Sequence, residues 1–149
     1  MYLTNDATGE VGAFRMPRSG WSDSTEGEID AYLLAEARTD KLKTLSADRV
    51  NFCMTGYVYG GNTFCISDES KVNITFKNTL PAGATDRYKY YDASDVQVNF
   101  ADADGWNAFY DAISPEMDRI MRYYCAKKKE INDAETVAAV DAITIDFTA

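Results

Sequence analysis

The chain has 149 residues, of which 46% are hydrophobic and 26% charged, and its formal net charge at pH 7 is −9. This length and balance suit one globular domain with a core of its own, and the negative charge disfavours nucleic acid and anionic membrane surfaces as partners. No segment approaches the roughly 18 consecutive apolar residues of a membrane span. The first residues also lack the basic start and apolar run of a secretory signal. We therefore expect a protein that is made in the cytosol.

Histidine is absent from the sequence, and its absence narrows the possible chemistry. Catalytic systems that use a histidine base are excluded, as are zinc and iron sites that use imidazole ligands. The three cysteines, Cys53, Cys65 and Cys125, are sparse and odd in number, which favours reduced, buried thiols over a disulfide framework. Cys53 and Cys65 lie twelve residues apart and could approach each other. We predict no catalytic residue, no metal and no cofactor.

The first 24 residues are rich in turn formers, and no hydrophobic period lasts long within them. They include the segment Met16-Pro17-Arg18, which breaks any regular pattern. We predict that residues 1–24 form an N-terminal arm or leader, with one short strand from Val11 to Phe14.

Residues 25–149 are predicted to form a single α+β domain that opens with a long helix. Thr25 and Glu28 have the spacing of a capping box, which marks a helix start. Beyond them, apolar residues recur every three or four positions, so a helix is predicted from Glu26 to about Val50.

Two hairpins and a short helix follow in the predicted chain order. The turn residues Gly60-Gly61-Asn62 separate two runs of aromatic and β-branched residues, which is a strong hairpin signal. Residues 88–100 have a similar pattern and predict a second hairpin. Between the two, the cluster that begins at Ser67 predicts a helix that ends before Pro81.

The longest signal runs from Asp102 to about Asp133, where large apolar residues recur every three or four positions. Ser114-Pro115 predicts either a kink or a fresh helix start within it. The stripe also fits a heptad, so it can pack inside the chain or join several copies. We predict two long helices packed on a small antiparallel sheet of two hairpins. The predicted core is Leu34, Leu42, Leu45, Phe64, Ile74, Val98, Phe100, Trp106, Ile113, Ile120 and Tyr124.

Aromatic side chains concentrate near the two hairpins and form the candidate interface. These rings can pair across strands, anchor a protein interface or stack on sugars, because a tyrosine combines an apolar ring with a polar tip. The candidate interface residues are Tyr57, Tyr59, Phe64, Tyr88, Tyr90 and Tyr91.

The order of these elements resembles a known family. A charged helix leads into the stretch from Gly56 to Phe64, then into Asp68-Glu69-Ser70; a hairpin follows, and then Trp106 on a helix that ends with Lys128-Lys129-Glu130-Ile131. This arrangement is similar to the small domain of unknown function found in bacteriophage and prophage tail or tail-fibre-associated proteins. The likeness covers about Glu28 to Ile143.

The resemblance implies a non-catalytic structural or interaction protein, oligomeric, made in a bacterial cytoplasm and carried in a virion. Its partners would be other copies of the chain or other virion subunits. The family brings no catalytic residue set to carry over. One alternative is a carbohydrate-binding module that uses Tyr57, Tyr59, Tyr90 and Tyr91, which requires all four rings to line one exposed groove. Another is a carboxylate enzyme, which requires an acidic pair in a pocket with a raised pKa.

Overall fold

The computed structural model describes residues 1–14 and 19–148, and within them it confirms the predicted α+β class. The described residues form four helices, α1 (Glu26–Thr55), α2 (Asp68–Thr79), α3 (Ala103–Asp133) and α4 (Val137–Ala142). Their seven short strands are β1 (Tyr2–Asn5), β2 (Val11–Ala13), β3 (Trp21–Asp23), β4 (Tyr57–Tyr59), β5 (Asn62–Phe64), β6 (Lys89–Tyr91) and β7 (Gln97–Asn99).

The chain divides into two compact units, and each unit takes residues from both long helices. Unit 1 comprises Met1–Thr44 and Lys129–Thr144, and unit 2 comprises Leu45–Lys128 and Ile145–Ala149. The predicted boundary after residue 24 therefore falls inside unit 1.

Unit 1 contains a three-stranded antiparallel sheet in the order β2-β1-β3. Its central strand buries Leu3, which pairs with Gly12 on one side and Asp23 on the other. The strand predicted from Val11 to Phe14 corresponds to β2, but β1 and β3 were not predicted. The predicted segment Met16-Pro17-Arg18 lies outside the described residues.

The start of α1 follows the predicted capping box. The carboxylate of Glu28 accepts a hydrogen bond from the backbone N–H of Thr25 at 2.8 Å, and the Thr25 hydroxyl accepts one from the N–H of Glu28 at 3.3 Å. These bonds satisfy two donors that would otherwise lack partners near the first helical turn.

Six of the eleven residues of the predicted core are buried, and the other five are not fully buried. Leu45, Phe64, Ile74, Trp106, Ile113 and Ile120 are buried. The other five predicted core residues are only half-buried, so part of each side chain faces solvent: Leu34, Leu42, Val98, Phe100 and Tyr124.

Unit 2 contains the two predicted hairpins as separate two-stranded ladders, β4–β5 and β6–β7, and not as one continuous sheet. A single backbone hydrogen bond, from the N–H of Ala93 to the carbonyl of Thr63 at 2.8 Å, links the two hairpins. The tight turn between β4 and β5 requires positive φ at both central residues, and Gly60 and Gly61 adopt 57° and 82°.

Helix α3 runs without a break through Pro115, so the predicted interruption does not start a new helix. Proline lacks an N–H, and the carbonyl four residues earlier therefore loses its usual helical partner. Within unit 2 the helix buries Trp106, Phe109, Ile113, Met117 and Ile120 at spacings of three and four. This stripe packs inside the chain, which is one of the two arrangements that its spacing predicted.

Candidate interaction surface

The aromatic residues of unit 2 meet at Phe109, which lies on α3. Its ring centroid is 4.7 Å from that of Phe64, 4.8 Å from Phe100 and 5.3 Å from Tyr59. The rings are tilted, offset or edge-on, which are the arrangements that aromatic quadrupoles favour. Trp106 packs on the same ring at 5.6 Å, and its indole N–H donates to the Asn78 side chain at 3.2 Å. Most of the hairpin aromatics therefore hold unit 2 together.

This cluster corrects two members of the predicted interface. Phe64 and Tyr90 are buried, so neither side chain can anchor a partner on the surface. Burial also raises the pKa of the Tyr90 hydroxyl, and a hydrogen bond with Ser70 opposes that rise. These two rings form part of the core because their strands face α3.

The other four predicted residues keep some exposure. Tyr57, Tyr59 and Tyr88 are half-buried, and burial raises the pKa of Tyr57, with a smaller effect from the charge of Glu116. The guanidinium of Arg87 lies 5.6 Å from the centre of the Tyr88 ring. Tyr91 is exposed, with 54% of its surface accessible. Tyr91 is thus the predicted residue best placed to contact a partner.

The carbohydrate-binding alternative required Tyr57, Tyr59, Tyr90 and Tyr91 to line one exposed groove. Tyr90 is buried, and the ring of Tyr59 packs edge-on against Phe109. The four rings therefore do not form that groove.

A different group of apolar side chains is exposed on unit 2. Helix α2 directs Ser70 and Ile74 inward, whereas Val72 and Phe76, one turn apart, lie on its opposite side with 67% and 62% of their surfaces accessible. Phe76 and Tyr91 together line a shallow cavity of about 440 Å³. The complete lining is Asn73, Phe76, Lys77, Leu80, Asp86, Tyr90 and Tyr91. We call Val72 together with these lining residues, apart from the buried Tyr90, the α2 surface.

Hydrogen bonds fix the segment that closes this cavity. The ammonium group of Lys77 donates to the carbonyl of Asp86 at 2.9 Å, and the guanidinium of Arg87 donates to the carbonyl of Leu80 at 2.6 Å. Both bonds attach the loop after α2 back onto the end of that helix. The exposed apolar side chains consequently lie on an ordered support.

Charges of both signs surround the α2 surface. Lys71 pairs with Asp118, and this hydrogen bond and the lysine charge lower the pKa of the Asp118 carboxyl. Lys89 lies 3.7 Å from the carboxylate of Asp86. The region is locally balanced, although the whole chain carries a charge of −9.

The acidic side chains of the described residues do not gather into a metal site. Within residues 1–14 and 19–148, no group of three or more metal-ligating side chains comes together. Glu28, Asp118 and Asp146 have pKa values below their ordinary ones, because each carboxylate accepts hydrogen bonds, from Thr25, Lys71 and Thr148 respectively. A general acid needs the opposite shift.

The helices of the described chain are either too short or too polar to cross a membrane.

Residues 36–144 match the family model described as "Domain of unknown function (DUF4376)", and the chain therefore belongs to this family. No curated protein and no solved structure matches the chain. The matched residues nearly coincide with the segment from Glu28 to Ile143 that carries the sequence resemblance. The family description names no activity and no partner.

Proposed function

We propose that this chain is a non-catalytic structural or interaction protein of a bacteriophage or prophage, associated with a tail or tail fibre. We further propose that it binds a second copy of itself through the α2 surface. The observation that carries the proposal is the exposure of Val72, Phe76 and Tyr91 on one ordered part of unit 2. Contiguous exposed apolar side chains are typical of contact sites on soluble proteins.

The composition of the α2 surface favours a protein partner. Phe76 and Tyr91 supply the large aromatic side chains that are enriched at interfaces, and Lys77 and Asp86 supply a polar edge. A cavity beside exposed rings can also accept a side chain of the partner, which is how the strongest contacts of an interface are usually built.

A second copy fits this surface for two reasons. In a two-fold contact the same patch serves both partners, so antiparallel α2 helices would place Val72 of one copy against Phe76 of the other. The edge of the patch carries both signs of charge, and Lys77 and Asp86 of opposite copies can attract each other across the contact. This local complementarity offsets the repulsion between two chains that each carry −9.

The phage assignment is supported by the sequence resemblance, which spans nearly the same residues as the family match. Reading the neighbouring genes tests it directly. A gene cluster that encodes tail proteins would support the assignment, and a metabolic operon would overturn it. Mass spectrometry of purified phage particles then tests whether the chain is part of the virion.

Self-association is tested by light scattering and sedimentation velocity from low to high micromolar concentration. We expect the average mass of the wild-type chain to rise with concentration, and Val72→Asp to remain monomeric. Val50→Asp is the matched control, because Val50 is also an exposed helical valine, 60% accessible, outside the α2 surface. It should associate like the wild type.

Thermal melting of both variants confirms that they are folded. A wild-type chain that stays monomeric at high micromolar concentration would overturn the self-association proposal. Equal behaviour of Val72→Asp and Val50→Asp would show that association uses another surface.

A further inference from the structure

Two of the three cysteines lie close together in unit 2. The backbone N–H of Ile66, the residue after Cys65, donates to the carbonyl of Cys53 at 2.7 Å. Covalent geometry and this hydrogen bond limit the Cα–Cα distance between Cys53 and Cys65 to about 7.5 Å or less. Disulfides usually join Cα atoms about 4.4–6.8 Å apart, so the backbone holds this pair at or close to bridging distance. Both side chains are free thiols in the structure.

Cys65 has the surroundings of a reactive thiol. It is half-buried, and its sulfur lies 3.5 Å from the sulfur of Met54. Burial raises the pKa of Cys65, but hydrogen bonds from Ser70 and Ser67 outweigh that effect and leave the pKa below its ordinary value. A larger thiolate fraction makes a cysteine more nucleophilic towards peroxides.

Cys53 has the surroundings of a second, slower thiol. It is buried, and burial raises its pKa, although the charge of Arg49 and a hydrogen bond with its guanidinium oppose the rise. Arg49 lies one turn earlier on α1, and the carboxylate of Asp68 holds it through two bonds of 2.9 Å. These residues line a cavity of about 150 Å³ together with Ser67. Within the described chain, the buried Nε of Arg49 has no oxygen or nitrogen partner.

We propose that Cys53 and Cys65 form a reversible disulfide in response to hydrogen peroxide. The Cys65 thiolate attacks one peroxide oxygen; the S–O bond forms, the O–O bond breaks, and the released hydroxide takes a proton to become water. The sulfur of Cys53 then attacks the sulfenic sulfur of Cys65. The S–S bond forms and the S–O bond breaks, and the departing hydroxide takes the Cys53 proton to become a second water. Two thiols are oxidised by two electrons in total, and one peroxide is reduced.

The disulfide would attach the hairpin β4–β5 to the end of α1, because both strands lie between the two cysteines. A dithiol reductant would restore the free thiols by exchange. This inference does not depend on the proposed self-association, since neither cysteine belongs to the α2 surface.

The test uses the full chain with Cys125→Ser, which removes the exposed third thiol. After treatment with hydrogen peroxide, we expect the titratable thiols to fall from two to none and the intact mass to fall by two hydrogen atoms. Peptide mapping should find Cys53 linked to Cys65, and dithiothreitol should reverse all three changes. The monomer fraction on a non-reducing gel should be unchanged.

Two further variants assign the order of the steps. In Cys53→Ser with Cys125→Ser, Cys65 should accumulate as sulfenic acid that dimedone traps. In Cys65→Ser with Cys125→Ser, Cys53 should remain reduced at the same peroxide dose. Retention of both thiols in the Cys125→Ser chain, or oxidation that yields only links between chains, would overturn the proposal. Circular dichroism before treatment confirms that each variant is folded.

Discussion

The two units of this chain are stabilised in different ways. The buried apolar side chains of unit 1, among the residues that the structure describes, are aliphatic: Leu3, Ile131, Val140 and Ile143. Unit 2 also buries large rings, and Phe109 is in contact with five other rings, three of them buried and two half-buried. Because hydrophobic stabilisation grows with the apolar area removed from water, we expect unit 2 to have the larger free energy of unfolding.

Hydrogen bonds join distant parts of the sequence within unit 1. The guanidinium of Arg38 donates twice to the carbonyl of Ala134, at 2.7 and 3.2 Å, and Lys41 donates to the carbonyl of Asp141 at 3.2 Å. Typical bonds of this kind contribute about 0.5–1.5 kcal/mol each, because water competes for the same groups. We therefore expect the two units to open at different free energies.

The largest effect should come from Phe109→Ala. Removing the ring that the others pack on should lower the free energy of unfolding by about 3–5 kcal/mol, through lost burial and an unfilled cavity. Urea unfolding in a Trp21→Phe background, followed by the fluorescence of Trp106, measures the change. Phe76→Ala is the control, since an exposed ring should cost less than about 0.5 kcal/mol. If both variants lost the same free energy of unfolding, the role of Phe109 as the centre of the aromatic cluster would be contradicted.

Leu3→Ala tests whether unit 1 opens on its own. Loss of this buried side chain from the central strand should cost about 2–5 kcal/mol. Hydrogen exchange measured by mass spectrometry should become faster for amides of β1, β2 and β3, whereas amides around Phe109 should keep their rates. Faster exchange at both places by the same factor would show that the units unfold together.

The smallest effect concerns the start of α1 and depends on pH. Hydrogen bonds from Thr25 lower the pKa of Glu28 below 4.5, so the ionised carboxylate favours the folded state. This contribution is fully present above pH 4.5 and is lost as the pH falls through the folded pKa. The stability advantage of wild type over Glu28→Gln should therefore shrink between neutral pH and about pH 3.

Urea midpoints at the two pH values measure that advantage. Glu26→Gln is the control, because it removes a charge from the same turn and keeps the Thr25–Glu28 hydrogen bonds. An advantage that does not change with pH would contradict the role of the ionised carboxylate.

Local sequence signals predicted most of the helices and both hairpins. Thr25 and Glu28 mark the start of α1, Gly60 and Gly61 mark a turn, and the spacing from Trp106 to Ile120 marks α3. Strands β1 and β3 were missed although strands of similar length were predicted, because no tight turn joins the two: Leu3 pairs with Asp23, twenty residues later. Such a pairing depends on residues far along the chain.

The candidate surface was harder to predict than the fold. The residue type alone could not show that Tyr91 is exposed while its neighbour Tyr90 is buried, because both are tyrosines. Adjacent residues of a strand face opposite sides, and which side is covered depends on where α3 packs. Val72 and Phe76 were missed for a related reason. Their spacing indicates a helical face, but nothing in the sequence indicates that this face stays uncovered.

The segments of the two units leave the ribosome in an interleaved order. Residues 45–128 emerge as one uninterrupted stretch and make up nearly all of unit 2, so that unit can begin to fold while translation continues. The first 44 residues must instead wait for 129–144 before unit 1 is complete. During this interval unit 1 lacks Ile131, Val140 and Ile143, three of its buried side chains, so its apolar surface is open to chaperones and to aggregation.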